Sequence, residues 1–184
     1  MTTVINTWHR DHANFSTLLD MLEAEVRLFN EAGNPDYELM LDIMYYMTHY
    51  PDVYHHPKED LVFAKVAAMD PRADEAVHTL LEQHVVLKQS GAQLCEALQG
   101  AVDGVMQPRD RVGQSAATYI RFFRDHMSNE ENMIIPLAHR LLSEVDWDEI
   151  EAVAPAQQDP LFGSDAVGKR YEQLQRRLLA VSSA

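Results

Sequence analysis

Four stretches of about thirty residues repeat apolar side chains at alternating spacings of three and four, the pattern of a helix packed among other helices. The first stretch carries Ile5, Trp8, His12, Phe15, Leu19, Leu22, Val26 and Phe29. The second carries Leu41, Tyr45, Thr48, Asp52, His55, Glu59, Val62 and Val66, and the third Val77, Leu80, His84, Leu87, Gly91, Leu94 and Leu98. The fourth carries Val112, Ala116, Tyr119, Phe123, His126, Glu130, Met133 and Leu137. The spacing predicts helices at 4–32, 36–68, 71–100 and 108–143. Turn-forming clusters lie between them, with Pro35, Pro71 and Pro108 where a first-turn proline belongs. Matched lengths and short links specify an all-α fold, an antiparallel up-down four-helix bundle.

Six residues break the apolar rule of these seams: His12, His55, Glu59, His84, His126 and Glu130. Burying a charge without a partner costs several kcal/mol, so a core normally excludes such groups. They also share one level. In an up-down bundle, residues at equal height are mirror images about the intervening turn. The point midway between His12 and His55 falls in Gly33-Asn34-Pro35. The point midway between the His55/Glu59 pair and His84 falls at Asp70-Pro71, and that between His84 and the His126/Glu130 pair falls inside 100–108. A layer of four imidazoles and two carboxylates in an apolar bundle points to bound metal.

The two acid-bearing motifs have the form His-x-x-x-Glu, His55 to Glu59 and His126 to Glu130. Residues at i and i+4 share a helix face and can reach one centre. A carboxylate can span two cations, whereas an imidazole gives one nitrogen to one. The set therefore suits two metals with both glutamates shared: two non-heme irons, with zinc or manganese as substitutes. A single four-coordinate zinc would leave two buried ionisable groups without work. A ferritin-like site would need four carboxylates and two Glu-x-x-His motifs, and the chain offers only Asp52-x-x-His55. His56, Asp60 and Glu131 lie one residue off the seams and are read as turned away from the core. His9, His49, His78 and His139 are read as surface or supporting residues.

Pro51 and Pro57 flank His55 inside the second helix, where each removes a backbone donor and bends the chain. The expected kink would set the angle at which His55 and Glu59 face the centre. After Ser143 the periodicity changes: 146–150 suggests a short helix, Pro155–Gly163 a loop, and 166–181 a helix with Tyr171, Leu174 and Leu178 on one face. Residues 1–143 are thus expected to form the bundle and 144–184 a short helical C-terminal extension. That extension either clamps the bundle or joins two subunits as a homodimer.

A net charge of −14 argues against a nucleic-acid or anionic-membrane surface. No run approaches the length of a membrane span, and the first residues lack a signal-peptide pattern, so a cytoplasmic protein is expected. The only cysteine, Cys95, can form neither an internal disulfide nor a thiolate metal site.

The order of these ligands resembles the hemerythrin-like, or HHE cation-binding, family of stand-alone bacterial type: histidine, His-x-x-x-Glu, histidine, His-x-x-x-Glu on successive helices. His55-His56-Pro57-Lys58-Glu59-Asp60-Leu61-Val62-Phe63 is similar to its helix 2 signature, and His126-Met127-Ser128-Asn129-Glu130-Glu131 to its helix 4 signature. The resemblance spans about residues 5–142. The tail from Trp147 through Asp159-Pro160-Leu161-Phe162-Gly163 is similar to that of stand-alone members. The resemblance implies a carboxylate-bridged di-iron centre that binds or senses O2, NO or a peroxide. Di-iron oxidase, peroxidase or NO-reducing chemistry, and iron storage or donation, are the alternatives it leaves open. Oxygen-carrying members have a fifth histidine four residues after the helix 3 ligand. Here that slot is Lys88, which implies one imidazole fewer and an open position on one iron.

Overall fold

The computed structural model describes residues 3–31, 33–105, 108–163 and 167–182. The expected end of the first helix at residue 32, part of the third turn, and the expected start of the last helix at Ala166 lie outside them. Among the described residues the fold is all-helical, with eight α-helices. They are α1 (Thr3–Asn30), α2 (Tyr37–His49), α3 (His56–Met69), α4 (Asp74–Val102), α5 (Arg109–Asn129), α6 (Ile135–Leu141), α7 (Glu144–Val153) and α8 (Glu172–Ser182). Two π-helical turns, Pro51–His55 and Glu130–Ile134, join α2 to α3 and α5 to α6, and a 3-10 turn at Pro71–Ala73 precedes α4. The second and fourth expected helices are therefore each two α-helices with a π turn between them.

Local sequence sets the boundaries. Asp36 caps α2 by accepting a hydrogen bond from the Leu39 amide. Ser143 and Asp146 form a reciprocal capping box at the start of α7. Gly104 ends α4 in the left-handed region, φ 77°, while the Val105 amide donates to the Gly100 carbonyl. A side chain there would be strained, and glycine is not. The π turn at Pro51 follows from its missing N–H: the helix widens, and the His56 amide donates to the Pro51 carbonyl five residues back. In the second π turn the Ile135 amide reaches the Glu130 carbonyl, one residue before Pro136. The Asn132 side chain donates to the Ser128 carbonyl at 2.7 Å.

Each π turn inserts one residue into the helical repeat, and this shifts the buried face. The α1 and α4 seams are as read from the sequence: every position from Ile5 to Val26 and from Val77 to Leu98 is buried. In α2 the buried face is instead Met40, Ile43, Met44 and Met47, while Leu41, Tyr45 and Thr48 are half-buried. Beyond Glu130 the fourth seam moves to Ile134, Ile135 and Ala138, leaving Met133 51 % exposed.

Helix α4 packs against α2, α3 and α5, and α1 packs against α5 and α2. The apolar core falls into two clusters, one built around Phe15, Met44 and Phe123 and the other around Trp8, Phe63 and Ile135. Between them lies a polar layer. The C-terminal segments lie on the bundle's own surface. Trp147 of α7 meets Trp8 edge-to-face at 6.2 Å, Leu174 and Leu178 of α8 are buried in the first cluster, and the Tyr46 hydroxyl donates to Asp159 at 2.7 Å.

Candidate metal centre

The polar layer holds all six residues singled out by the seams, and each is buried. His12 comes from α1, His84 from α4 and His126 from α5; His55 and Glu130 belong to the two π turns, and Glu59 to α3. His12, His55 and Glu59 offer donor atoms that all lie within 4.8 Å of one another. A second group with the same property is His56, Glu59, His84 and His126. Glu59 belongs to both: its Oε1 lies 3.1 Å from His55 Nε2 and its Oε2 3.7 Å from His84 Nε2. Glu130 spans the layer in the same way, with Oε1 3.1 Å from His126 Nε2 and Oε2 3.5 Å from His12 Nε2.

His56 corrects the sequence reading. It was expected to turn away from the core, yet it is buried at 4 % exposure and stacks on the His84 ring at 4.3 Å between centroids. The reason is the π turn. A uniform α-helix separates neighbours by about 100° and cannot aim two adjacent side chains at one layer. The widened turn that ends at His55 brings both His55 and His56 inward. Pro51 was the signal in the sequence, but a kink and a register shift look alike from sequence alone.

Four of the five histidines are built alike. On the Nδ1 side, His12 donates to Glu131 at 2.7 Å, His55 to Asp11 at 3.1 Å, His84 to Asp60 at 2.6 Å and His126 to Gln83 at 3.0 Å. His56 is the exception: Asp52 Oδ1 lies 3.2 Å from its Nδ1 but is not aligned to accept from it. An acceptor at Nδ1 fixes the proton there and leaves the Nε2 lone pair free, the arrangement typical of metal-bound imidazoles. The off-seam residues Glu131 and Asp60 thus act as acceptors behind the ligands' rings. Asp11 and Gln83 have the same place, and the seam pattern carried no signal for this role.

Residues 3–138 match the family model for hemerythrin, described as the hemerythrin HHE cation binding domain. The chain belongs to the hemerythrin HHE family. Comparison with curated proteins and with solved structures found no match.

A hemerythrin HHE domain binds cations, and the layer has the chemistry for one. Both Glu59 oxygens, Glu130 Oε2 and His126 Nε2 are buried without a hydrogen-bond partner. Carboxylate oxygens and imidazole nitrogens here come within 3.1 Å of each other without hydrogen-bond alignment. The His12 and His55 Nε2 atoms face each other at 3.1 Å. Donor atoms converging in this way, and left unsatisfied by the protein, suit a shared positive charge between them.

Without that charge, protons take its place. Burial alone would lower the His12 imidazole, but its hydrogen bond to Glu131 and the nearby Glu59 carboxylate raise it to about 9. His55 is raised to about 10 against its burial, by the Glu59 charge and its bond to Asp11. His84 is raised to about 9 against its burial, by Asp60 and Glu130. Burial works to raise Glu59, yet the His55 charge and the nearby His12 imidazole hold it well below the usual carboxylate range. His56 goes the other way: burial first, then the neighbouring imidazoles, keeps it well below the usual imidazole range.

The remaining candidates are peripheral to this hemerythrin HHE layer. His9 shares Glu131 with His12. His49 stacks on Tyr45, His78 pairs with Glu82, and both are exposed, as is His139. Tyr119 is a buried ring whose hydroxyl has no partner among the described residues. Lys88 is exposed and lines a surface cleft with Asp52 and Cys95.

Proposed function

We propose that this chain is an antiparallel up-down four-helix hemerythrin-like bundle over residues 1–143, carrying a carboxylate-bridged pair of non-heme irons that binds or senses O2, NO or a peroxide. The observation that carries the reading is the set of five buried imidazoles, four of them donating from Nδ1 to an acceptor, around two glutamates of which both Glu59 oxygens and Glu130 Oε2 lack partners. His12 and His55 would hold one ion. His56, His84 and His126 would hold the other, and Glu59 and Glu130 would be shared.

In this reading His56 takes the part that the resemblance assigned to the slot now held by Lys88. The imidazole count is restored from the second helix rather than the third. The side with two histidines then has fewer protein donors and more room for a small ligand. An iron pair, when bound, supplies redox-active Lewis-acid positions for a diatomic molecule or peroxide. The chain's own residues do the rest. Asp11, Asp60, Gln83 and Glu131 orient four of the rings, and Phe15 and Phe123, both wholly buried, exclude water from one side of the layer. Glu59 and Glu130 at 0 % exposure favour a retained centre over a labile iron store.

Elemental analysis of protein produced with iron tests the reading, with two irons per chain expected. An optical spectrum sensitive to O2 or NO, and resistance to mild chelators, complete the expected result. One zinc per chain, unchanged by iron reconstitution, would overturn it.

A further inference from the structure

We propose that the cavity between the bundle and its C-terminal extension is a binding site for a small organic amine in its cationic form. The cavity measures about 500 Å³, within the range that holds small-molecule ligands. One wall is α1 and the π turn at Pro51–His55. The other is α7 and the segment through Gln157, which lies beyond residue 138, where the family match ends. The cavity therefore needs the extension as well as the bundle.

Two properties select the ligand class. The first is charge. Asp11, Glu144, Asp148 and Glu151 line the cavity; of its basic residues, Lys58 is ion-paired with Glu151 and His55 with Asp11 Oδ2, which leaves Glu144 and Asp148 in excess. Asp11 is decisive. Its side chain is only 3 % exposed and its Oδ2 accepts from His55 Nδ1 and the Tyr50 hydroxyl, but its Oδ1 has no partner. A buried carboxylate oxygen without a donor is unfavourable, and an ammonium group would supply the donor and the opposite charge together. The second property is aromaticity. Trp8, Trp147, Tyr50 and Tyr54 also line the space. Their rings favour a cation at their faces and an apolar body between them. An organic anion would meet the opposite field.

The site does not depend on the dinuclear reading, because the cavity lies on the Nδ1 side of His55. It is tested on the full chain, both metal-free and zinc-loaded. Both tryptophans of the sequence line the cavity, so their emission reports on it, with titration calorimetry in parallel. The probes are 2-phenylethylamine, 2-phenylethanol and 3-phenylpropanoate at pH 7, which share a body and differ in charge.

The expected result is one amine per chain, bound at least about tenfold tighter than the alcohol, with no saturation by the carboxylate. Asp11→Asn is expected to bring the amine-to-alcohol ratio close to one. Trp147→Leu, separated from His55 by the Trp8 ring, is expected to weaken the amine at least about threefold with circular dichroism unchanged. Equal binding of amine and alcohol by the unmodified chain would mean that water alone satisfies Asp11, and would overturn the proposal. So would tighter binding of the carboxylate, or no saturable signal at millimolar amine. Amine selectivity in a chain that fails to hold two irons would leave this site standing while removing the dinuclear centre.

Discussion

His56 Nδ1 and Asp52 Oδ1 lie 3.2 Å apart across the π turn that begins at Pro51. The contact couples a backbone irregularity to the composition of the site. Asp52 sits inside the widened turn and His56 immediately after it, so the segment that rotates His56 inward also carries the carboxylate nearest its Nδ1. Asp52 is pushed up to about 7 by burial, only partly offset by Lys88 and His84. That is the behaviour of a carboxylate enclosed for a structural purpose rather than a solvated one.

The first prediction concerns that pair. His56→Ala should reduce bound metal from two ions to about one per chain, because the His84/His126 side loses its third imidazole. Lys88→Ala should keep both ions. Asp52→Asn removes a nearby charge but no hydrogen bond to the ring, so it should retain metal with affinity lowered by less than about tenfold. Elemental analysis with chelator competition reads all three. A His56→Ala protein with full metal and unchanged chelator resistance would return His56 to a packing role.

The two adjacent glutamates of α5 and its π turn should separate in the same assay. Glu130 bridges the layer at 0 % exposure, whereas Glu131 is half-buried and accepts from His12 and His9. Glu130→Ala, like Glu59→Ala, should abolish the paired centre. Glu131→Ala should keep it with affinity lower by about 10–100-fold. Equal loss of metal from Glu130→Ala and Glu131→Ala would show that both carboxylates ligate.

The helical class and the six-residue layer were legible because both rest on periodicity. The apolar spacing of α1 and α4 is unbroken, so His12 and His84 were placed without ambiguity. Reading failed where the period itself changed. A π turn alters the backbone by one residue and leaves hydrophobicity untouched, so His56 looked misaligned and Met133 looked buried. The acceptors behind the rings were illegible for a different reason. Asp11 and Gln83 lie beside the seams, and only the packed geometry shows which ring nitrogen each one faces.

The pH response should reverse with metal. In the metal-free chain, His12, His55 and His84 have folded values of about 9, 10 and 9, against an unfolded value of about 6.5. Raised groups of this kind contribute stability that is fully present below the unfolded value and lost as pH rises through the folded ones. His56, whose value is lowered, is neutral in both states above neutrality and does not act there. The melting temperature of metal-free protein should therefore fall between pH 7 and 9.5, by about 5–10 °C. Metal-loaded protein should hold or gain stability over that window and lose metal below neutrality, because ligation requires neutral imidazole. Calorimetry of both forms checks the sign. A metal-free melting temperature that climbs from pH 7 to 9.5 would contradict the raised imidazoles.

The last prediction separates the extension from the centre. Asp159 is buried, its Oδ1 accepts from the Leu161 and Phe162 amides, and its Oδ2 accepts from the Tyr46 hydroxyl at 2.7 Å. Tyr46 is itself fully buried, and burial together with the Asp159 charge pushes its hydroxyl well above the usual phenol range, so it stays a donor. Tyr46→Phe keeps the ring but leaves a buried carboxylate oxygen without its donor, at a cost of about 1–3 kcal/mol. In a chain of this size the melting temperature should drop by about 2–4 °C for each kcal/mol. Limited proteolysis should cut the segment between α7 and α8 faster, because this bond ties that segment to α2. Metal content should not change, since Tyr46 touches none of the layer's acceptors directly. Loss of metal in Tyr46→Phe without faster cleavage would mean that the hydroxyl supports the centre rather than the clamp.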